Sequence, residues 1–174
     1  TRYYALELCT ASLNQYFLKD THPKKYRGPM PTEIEVMQQL TSGLEYIHSK
    51  DLVHRDIKPE NVLIARQPET VVMKWADFGL SKPISPRGTF ALRDVKGTLT
   101  WMAPEVLTVL EELERSGKND LDLSSFEQRC TAVSDVFSCG CVFFYFLTGG
   151  IHPFGWVNSF YNVIQSNPIH FHFL

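Results

Sequence analysis

The sequence predicts an α+β domain that is mostly α-helical and includes one short β-hairpin. Three observations lead to this fold class. One segment carries apolar residues at helical spacing behind a helix-capping motif, and a second segment is almost wholly apolar. Two short β-branched runs flank a polar linker, which is the pattern of a hairpin. The length of 174 residues fits a single domain.

The first third of the chain is predicted to hold a strand and two helices. A strand is expected at residues 3–8, followed by a short helix around Leu13, Tyr16 and Phe17 and by a proline-rich loop over residues 19–31. Thr32 and Glu35 form a capping box, so a second helix is expected from there to about His48. Its apolar stripe comprises Ile34, Met37, Leu40, Leu44 and Ile47.

The remaining elements follow from composition. The runs 62–64 and 71–73 predict the hairpin, and residues 80–96 predict a long loop. Residues 111–128 are charged and polar, as expected of a helix start followed by a solvated insertion. Residues 134–147 leave no polar face, so this helix is expected to be buried on all sides, and Gly149-Gly150 ends it.

Composition excludes several classes of protein. The 17 basic and 19 acidic residues give a formal net charge of −2, which argues against a disordered tail or a polyanion-binding surface. No apolar stretch approaches the roughly 20 residues that cross a bilayer, and no secretory leader is recognisable. The cysteines lack the spacing of a disulfide framework, which favours a reducing, intracellular setting. No contact of this segment with nucleic acid or membrane is expected.

The motif with the clearest chemistry is the run His54-Arg55-Asp56-Ile57-Lys58-Pro59-Glu60-Asn61, which Asp77-Phe78-Gly79 follows. Both motifs lie at the ends of predicted strands, where loops present side chains to a common cleft. Phosphoryl transfer needs a carboxylate that takes a hydroxyl proton, oxygen ligands for Mg²⁺ and a cation beside the transferred group. Asp-Phe-Gly alone is most often a turn, but the ordered set that ends at Ala103-Pro104-Glu105 is far more specific.

Together these motifs resemble the C-terminal lobe of a eukaryotic protein kinase over about residues 3–155. A lysine two residues after Asp56 is typical of the serine/threonine type. A narrower resemblance is to the inositol-requiring kinase/endoribonuclease family, which senses unfolded protein in the endoplasmic reticulum. It rests on Glu7-Leu8-Cys9, on residues 134–143 and on His152-Pro153-Phe154-Gly155.

The resemblance implies ATP and Mg²⁺ as cofactors and a role for each matching residue. Asp56 and Lys58 would be catalytic, and Asn61 and Asp77 would bind the metal. ATP would be bound by Glu7, Leu8, Cys9, Lys58, Glu60, Asn61, Leu63 and Asp77, with Leu6 as the gatekeeper. Structural or regulatory roles would fall to Arg55, Phe78, Gly79, Thr98, Glu105 and Asp135.

Several residues have a plainer alternative. Ser81, Ser85 and Thr89 are candidate phosphorylation sites, with Arg55 as the residue that would receive a phosphate, although for each single hydroxyl a solvated loop residue is the favoured interpretation. Thr98 is expected to contact Asp56 or a docked substrate rather than to be phosphorylated. His54 is expected to be a packed, backbone-bonding histidine, and Cys139 and Cys141 to be core residues.

The resemblance also predicts the domain organisation. Residues 1–155 would form a partial kinase domain with hinge strand, catalytic loop, activation segment and buried central helix, and residues 156–174 a divergent C-terminal tail. The glycine-rich loop and the strand lysine of the family have no counterpart here, so the N-lobe is expected to be largely absent. The expected partner is a protein substrate or a second copy of the parent protein. The expected location is cytoplasmic, at the cytosolic face of the endoplasmic reticulum.

Two functions of different classes follow. The first is ATP-dependent phosphoryl transfer to serine or threonine hydroxyls of proteins, including autophosphorylation, with little activity expected of these 174 residues alone. The second is a nucleotide-responsive regulatory or dimerisation module that controls an attached endoribonuclease. Missing metal ligands would favour the second function, and neither Asn61 nor Asp77 is missing.

Overall fold

A small antiparallel sheet and two long helices form the centre of the fold in residues 5–85, 98–115, 131–155 and 159–165, which are the residues that the computed structural model describes. The strands are β1 (Ala11–Ser12), β2 (Leu52–Val53), β3 (Val62–Arg66), β4 (Val71–Trp75) and β5 (Lys82–Pro83). The helices are α1 (Leu13–Tyr16), α2 (Glu33–His48), α3 (Pro104–Arg115), α4 (Val133–Leu147) and α5 (Ser159–Ile164). The predicted class, α+β and mostly helical, is confirmed.

The predicted hairpin is the pair β3–β4, which brings the two loop motifs together. The strands are antiparallel, with Val62 opposite Trp75, and β1 extends this sheet in the order β1-β3-β4. Asn61 precedes β3 and Asp77 follows β4, so both residues leave the sheet at the same end. The Ala76 N–H donates to the Asn61 carbonyl at 2.9 Å and closes that end. A separate two-stranded sheet pairs β2 with β5.

Helix α2 begins at the predicted capping box and packs against β4. The Thr32 hydroxyl accepts from the Glu35 N–H at 3.3 Å, and the Glu35 carboxylate accepts from the Thr32 N–H at 2.8 Å. Leu40, Leu44 and Ile47 are buried as expected. Ile34, however, is 64% exposed, and Val36 is buried in its place. The reason is angular, because positions 36, 40, 44 and 47 share one helix face while position 34 turns away from it.

Helix α4 confirms the predicted apolar helix but not its burial on every side. Ser134, Asp135 and Ser138 are buried polar residues in its first two turns, each with a hydrogen-bond partner in another segment. Val136 is 54% exposed. The helix ends where predicted, since Gly149 and Gly150 have φ angles of +73° and +98° that glycine adopts freely.

Two other expectations are wrong in the described residues. Residues 5–8 form no strand, and Leu8 is 96% exposed, because only Ala11–Ser12 pairs with β3. Helix α3 begins at Pro104 rather than near residue 111, since proline fits the first turn of a helix. Within residues 156–174, the described part contains helix α5, where Val163 is 1% exposed and packs in the cluster around α3. Residues 86–97 and 116–130 lie outside the described residues.

We predict that Gly150→Ala destabilises the protein whereas Gly140→Ala does not. At position 150 the added Cβ would lie 2.9 Å from the Phe17 Cβ and would sit at a left-handed φ, which costs about 1–3 kcal/mol. At position 140, in the interior of α4, the added Cβ meets nothing within 4 Å, and the gain in helix propensity is about 0.5–1 kcal/mol. Urea unfolding of the two variants and the wild type measures both effects. Equal free energies of unfolding for the two variants would contradict this account.

Candidate active site

The catalytic-loop motif is held from below by the buried carboxylate of Asp135 in the first turn of α4. Its Oδ2 accepts the His54 N–H at 2.8 Å, and its Oδ1 accepts the Arg55 N–H at 2.9 Å. His48, in the last turn of α2, brings its Nε2 to 2.9 Å from the same Oδ2. Arg55 has a left-handed φ of +70°, a conformation that non-glycine residues rarely adopt. The carboxylate therefore fixes a strained turn immediately before Asp56.

His54 is fully buried, and its contacts define which ring nitrogen carries the proton. Nδ1 lies 3.3 Å from the Asp56 N–H, which can only donate, so Nδ1 must be the acceptor. Nε2 lies 3.0 Å from the Ala76 carbonyl, which can only accept, so Nε2 must carry hydrogen. Burial lowers the pKa of His54, while Asp135, the Ala76 carbonyl, Asp56 and Asp77 oppose this shift. The neutral ring thus connects the catalytic-loop motif to the residue before Asp77. His54 is a packed, backbone-bonding histidine, as expected from the sequence.

Asp56 is buried, and its carboxylate is the centre of a small polar cluster. Its Oδ2 lies 2.7 Å from Lys58 Nζ and accepts from Asn61 Nδ2 at 2.9 Å. Its Oδ1 accepts from the Thr98 hydroxyl at 3.3 Å, and Lys58 Nζ reaches the same hydroxyl at 2.9 Å. Thr98 thus contacts Asp56, which is the role expected for it. The cluster joins the catalytic loop to Thr98, which precedes the 3-10 turn Leu99–Trp101.

The residues expected to bind a metal lie at the same end of the hairpin. Asn61 uses Nδ2 to bond both the Asp56 carbonyl, at 2.8 Å, and the Asp56 carboxylate, so the amide oxygen Oδ1 is the atom suited to a metal. Asp77 is exposed, has a φ of +63°, and accepts the Gly79 N–H at 3.3 Å. Oxygen donors suit Mg²⁺, which keeps several waters and takes one or two protein carboxylates beside phosphate. Among the described residues, no group of three or more histidine, cysteine or acidic side chains is placed so that it could hold a metal ion.

Phe78 packs between the motifs. Its ring lies 5.0 Å from the His54 ring, centroid to centroid, and its side chain is 48% exposed. The contact ties the segment after Asp77 to the same histidine that supports Asp56. A single buried ring therefore touches both parts of the candidate site.

The residues expected to contact adenine are more exposed. Leu6 is 89% exposed and residues 5–9 have no regular structure, but Glu7 forms an ion pair with Lys74 on β4. Leu63 lies directly opposite Lys74 in the hairpin register, so its half-buried side chain shares a face with Lys74. Burial raises the pKa of the Cys9 thiol, and the Glu7 carboxylate adds to this shift. Glu60 is exposed in the 3-10 turn Pro59–Asn61.

Most of the candidate regulatory residues lie in the part of the chain that the structure describes. The Ser81 hydroxyl donates to the His54 carbonyl at 3.3 Å, and Ser85 is exposed. Thr89 lies outside the described residues. Glu105 accepts a hydrogen bond from the Ser134 hydroxyl at 2.6 Å. The sequence pattern did not predict the contact of His48 with Asp135 or that of Ser134 with Glu105, because the two residues of each pair are far apart in the sequence.

The two cysteines of α4 are core residues. Cys139 and Cys141 are 4% and 5% exposed, and burial raises the pKa of both thiols to about 12. A thiol with such a pKa is neutral near pH 7 and is a poor metal ligand or nucleophile. Both cysteines therefore serve packing, as expected.

Comparison with known proteins identifies the class to which this fold and site belong. The family model described as "Protein kinase domain" matches residues 1–167, so the chain belongs to the protein kinase domain family. A chain in the crystal structure of the yeast RNA Pol II CTD kinase CTDK-1 complex superimposes with a TM-score of 0.62 over 92% of this chain and 43% of that chain. Their sequence identity is 24%, so this likeness concerns the fold alone.

The relatives confirm the narrower resemblance. The chain is 41% identical over 157 residues to the human serine/threonine-protein kinase/endoribonuclease IRE2, covering 88% of this chain and 15% of that protein. It is 37% identical to ire-1 of Caenorhabditis elegans, over 88% of the chain and 14% of the relative. It is 34% identical to ireA of Aspergillus fumigatus, over 95% of this chain and 16% of that relative. The chain thus spans about one seventh of the length of these relatives.

Within the described ranges, no helix has the length and apolar character that crossing a bilayer requires.

We predict that protonation of His54 destabilises the fold in mild acid. Its pKa lies below the ordinary value of 6.5 in the folded state, so the unfolded chain binds the proton more readily. This contribution to stability is complete above pH 6.5 and is lost as the pH falls towards the folded-state pKa. His54→Gln, which cannot take up the proton, should have a shallower decline in the free energy of unfolding between pH 7.5 and 5.5. Burial also lowers the pKa of His152, which is unchanged in the variant, so part of the slope remains. Identical slopes for wild type and variant would contradict the prediction.

Proposed function

We propose that this chain carries the catalytic loop of a protein kinase that transfers the γ-phosphoryl group of ATP to serine or threonine hydroxyls. The observation that carries the proposal is the cluster around Asp56. Its carboxylate lies within 3.3 Å of Lys58, Asn61 and Thr98, in a loop fixed by Asp135. The names of the relatives, which include serine/threonine kinases, support the same reaction class.

Asp56 orients the acceptor hydroxyl and takes its proton. A carboxylate suits this task when it is fixed in direction, because positioning supplies much of the rate gain in phosphoryl transfer. The two carboxylate oxygens of Asp56 have different partners, so rotation of the group is restricted. The Thr98 hydroxyl, 3.3 Å away, marks where a second hydroxyl can approach the carboxylate.

Lys58 supplies positive charge beside that carboxylate. Its side chain is about one-fifth exposed, and its ammonium lies between Asp56 and Thr98, where it can neutralise charge on a phosphoryl oxygen. Lysine is a compact point charge on a flexible stem, so it can move from the carboxylate to a phosphate without losing its hydrogen-bond donors.

Asn61 and Asp77 would hold Mg²⁺, and ATP supplies the phosphoryl group when it is bound. The amide oxygen of Asn61 is fixed by the two hydrogen bonds that its Nδ2 makes to Asp56. Asn61, a proposed metal ligand, is thereby hydrogen-bonded to the proposed catalytic residue Asp56. The position of the metal would therefore depend on the position of the carboxylate that orients the acceptor hydroxyl. The backbone of residues 7–9, with Leu63 below it, would contact adenine, and Glu60 would lie near the ribose and phosphates.

In the parent protein the substrate would be another protein or a second copy of the same polypeptide. Autophosphorylation would occur on hydroxyls of the segment after Asp77, for which Ser81, Ser85 and Thr89 are candidates. Arg55 would then bind the added phosphate. By analogy with the Schizosaccharomyces pombe relative named "Sensor for unfolded proteins in the ER ire1", the kinase would belong to a sensor of unfolded protein. It would then act at the cytosolic face of the endoplasmic reticulum.

A second candidate function is regulatory control of an endoribonuclease by bound nucleotide. The relatives' names favour it, because each pairs a kinase with an endoribonuclease. In that case ATP binding would change assembly or RNA cleavage in the parent protein, and phosphoryl transfer would be dispensable.

We predict that Asp56→Asn lowers phosphoryl transfer by about a hundredfold or more, because the acceptor hydroxyl loses its general base. Radiolabel transfer from ATP by the native polypeptide that contains this chain measures the effect. Asp51→Asn is the matched control, since Asp51 is exposed and asparagine also tolerates its positive φ of +53°.

Transfer that Asp56→Asn leaves unchanged would refute the kinase proposal. Loss of transfer with RNA cleavage still responding to ATP would show that both functions reside in one protein. RNA cleavage that depends on ATP, in a protein without measurable transfer, would favour the regulatory function.

A further inference from the structure

The carboxylate of Glu105, in the first turn of α3, is bound by a serine of α4. The Ser134 hydroxyl donates to Glu105 Oε1 at 2.6 Å, and Ser134 is 8% exposed. A hydrogen bond of this length to a charged acceptor is among the stronger kinds in proteins. Glu105 and Ser134 both lie in the first turn of their helices, where the helix dipoles favour a negative charge. In the described part of the chain, no basic side chain lies within ion-pair distance of Glu105.

One turn along α4, Ser138 makes a second contact with the same segment. Its hydroxyl lies 2.7 Å from the Trp101 carbonyl and 3.0 Å from the Ser134 carbonyl. Trp101 ends a 3-10 turn that Thr98 precedes, and the Trp101 N–H donates back to the Thr98 carbonyl at 3.0 Å. Ser134 and Ser138 therefore attach residues 98–105 to α4 at two points, Glu105 and Trp101.

Asp135 stands next to Ser134 and holds the catalytic loop. The same two turns of α4 thus bind the backbone before Asp56 on one side and residues 98–105 on the other. Thr98 and Asp56, which approach to 3.3 Å, belong to these two segments. Their separation is consequently set by how each segment is attached to α4.

We propose that Ser134 is a positioning residue that, through Glu105, holds Thr98 in register with Asp56 and Lys58. The inference rests on the proposed kinase function for its catalytic consequence, but the attachment itself is independent of that function. Ser134 is not a catalytic residue, because its partner is the Glu105 carboxylate and not the Asp56 cluster. Its loss should loosen residues 98–107 while leaving the β3–β4 hairpin unchanged.

Amide hydrogen exchange of the native polypeptide tests the attachment without reference to activity. The amides of Trp101, Met102, Val106 and Leu107 all donate to backbone carbonyls within this segment. In Ser134→Ala they should exchange about ten- to a hundredfold faster than in wild type, as expected when a hydrogen bond to a charged group is lost from a local opening equilibrium. Ser134→Thr, which keeps the hydroxyl, should restore slow exchange, and Ser42→Ala, at an exposed position on α2, should change nothing.

Unchanged exchange in Ser134→Ala would overturn the proposal, and so would faster exchange that spreads equally through the β3–β4 hairpin. If Ser134→Thr fails to fold, Glu105→Gln serves as the second variant. It keeps an acceptor but removes the charge, and it should speed exchange by a smaller factor in the same four amides.

Kinetics test the catalytic consequence. Ser134→Ala should lower kcat by about three- to tenfold with the KM for ATP unchanged, because the acceptor side of the site is displaced and the nucleotide side is not. If Ser134 acts through Thr98, the double variant Ser134→Ala/Thr98→Val should be no slower than Thr98→Val alone. Additive losses would contradict action through Thr98. Faster exchange in a protein without Asp56-dependent transfer would refute the proposed function and leave the attachment standing.

Discussion

The carboxylate of Asp135 binds two successive backbone N–H groups, and the geometry of the candidate site depends on this interaction. Arg55 adopts a left-handed φ, which costs about 1–3 kcal/mol for a non-glycine residue. Hydrogen bonds to a charged group contribute about 1.5–3 kcal/mol each, so the two bonds from His54 and Arg55 outweigh that strain. With the turn fixed, Asp56 faces the end of the β3–β4 hairpin. There it meets Asn61 and, from the other side, Thr98.

Helix α4 combines this polar anchor with a largely apolar body. Its buried residues Cys139, Cys141, Val142 and Tyr145 belong to the core shared with α2 and the hairpin, which holds the helix in place. The polar residues of its first two turns then act as fixed donors and acceptors for loops that have little structure of their own. The arrangement explains why a helix of high hydrophobicity begins with three buried polar side chains. Asp135 binds the backbone of the catalytic loop, and Ser134 and Ser138 bind residues 98–105.

Much of the fold could be predicted from the sequence because the relevant signals are local. The capping box at Thr32, the β-branched runs of the hairpin and the glycines after Leu147 each specify an element boundary within a few residues. The misplaced elements lack such signals. Residues 5–8 have strand-like composition, but a strand exists only where a neighbour can pair with it, and that is a tertiary condition. The burial of Val36 instead of Ile34 depends likewise on where β4 packs.

For the candidate site, too, local sequence signals predicted some residues and the supporting tertiary contacts remained unpredicted. Asp56, Asn61 and Asp77 could be found from motif spacing, since the loops that carry them have a fixed sequence order. The supporting contacts could not, because His48, Asp135 and Ser134 act across long sequence separations that only the packing of α2, α3 and α4 brings together. For Asp135 the family resemblance supplied an expected role, whereas Ser134 belongs to the matching run 134–143 without a role assigned to it.

The most direct measurement of the central interaction is the exchange rate of the His54 and Arg55 amides in wild type and in Asp135→Asn. Both amides should be among the slowest to exchange in the wild type, since they are bonded to a buried carboxylate. Asp135→Asn should accelerate both by a far larger factor than it accelerates the amides of β3 and β4. Fast exchange of both amides in the wild type, or rates that Asp135→Asn leaves unchanged, would contradict the account.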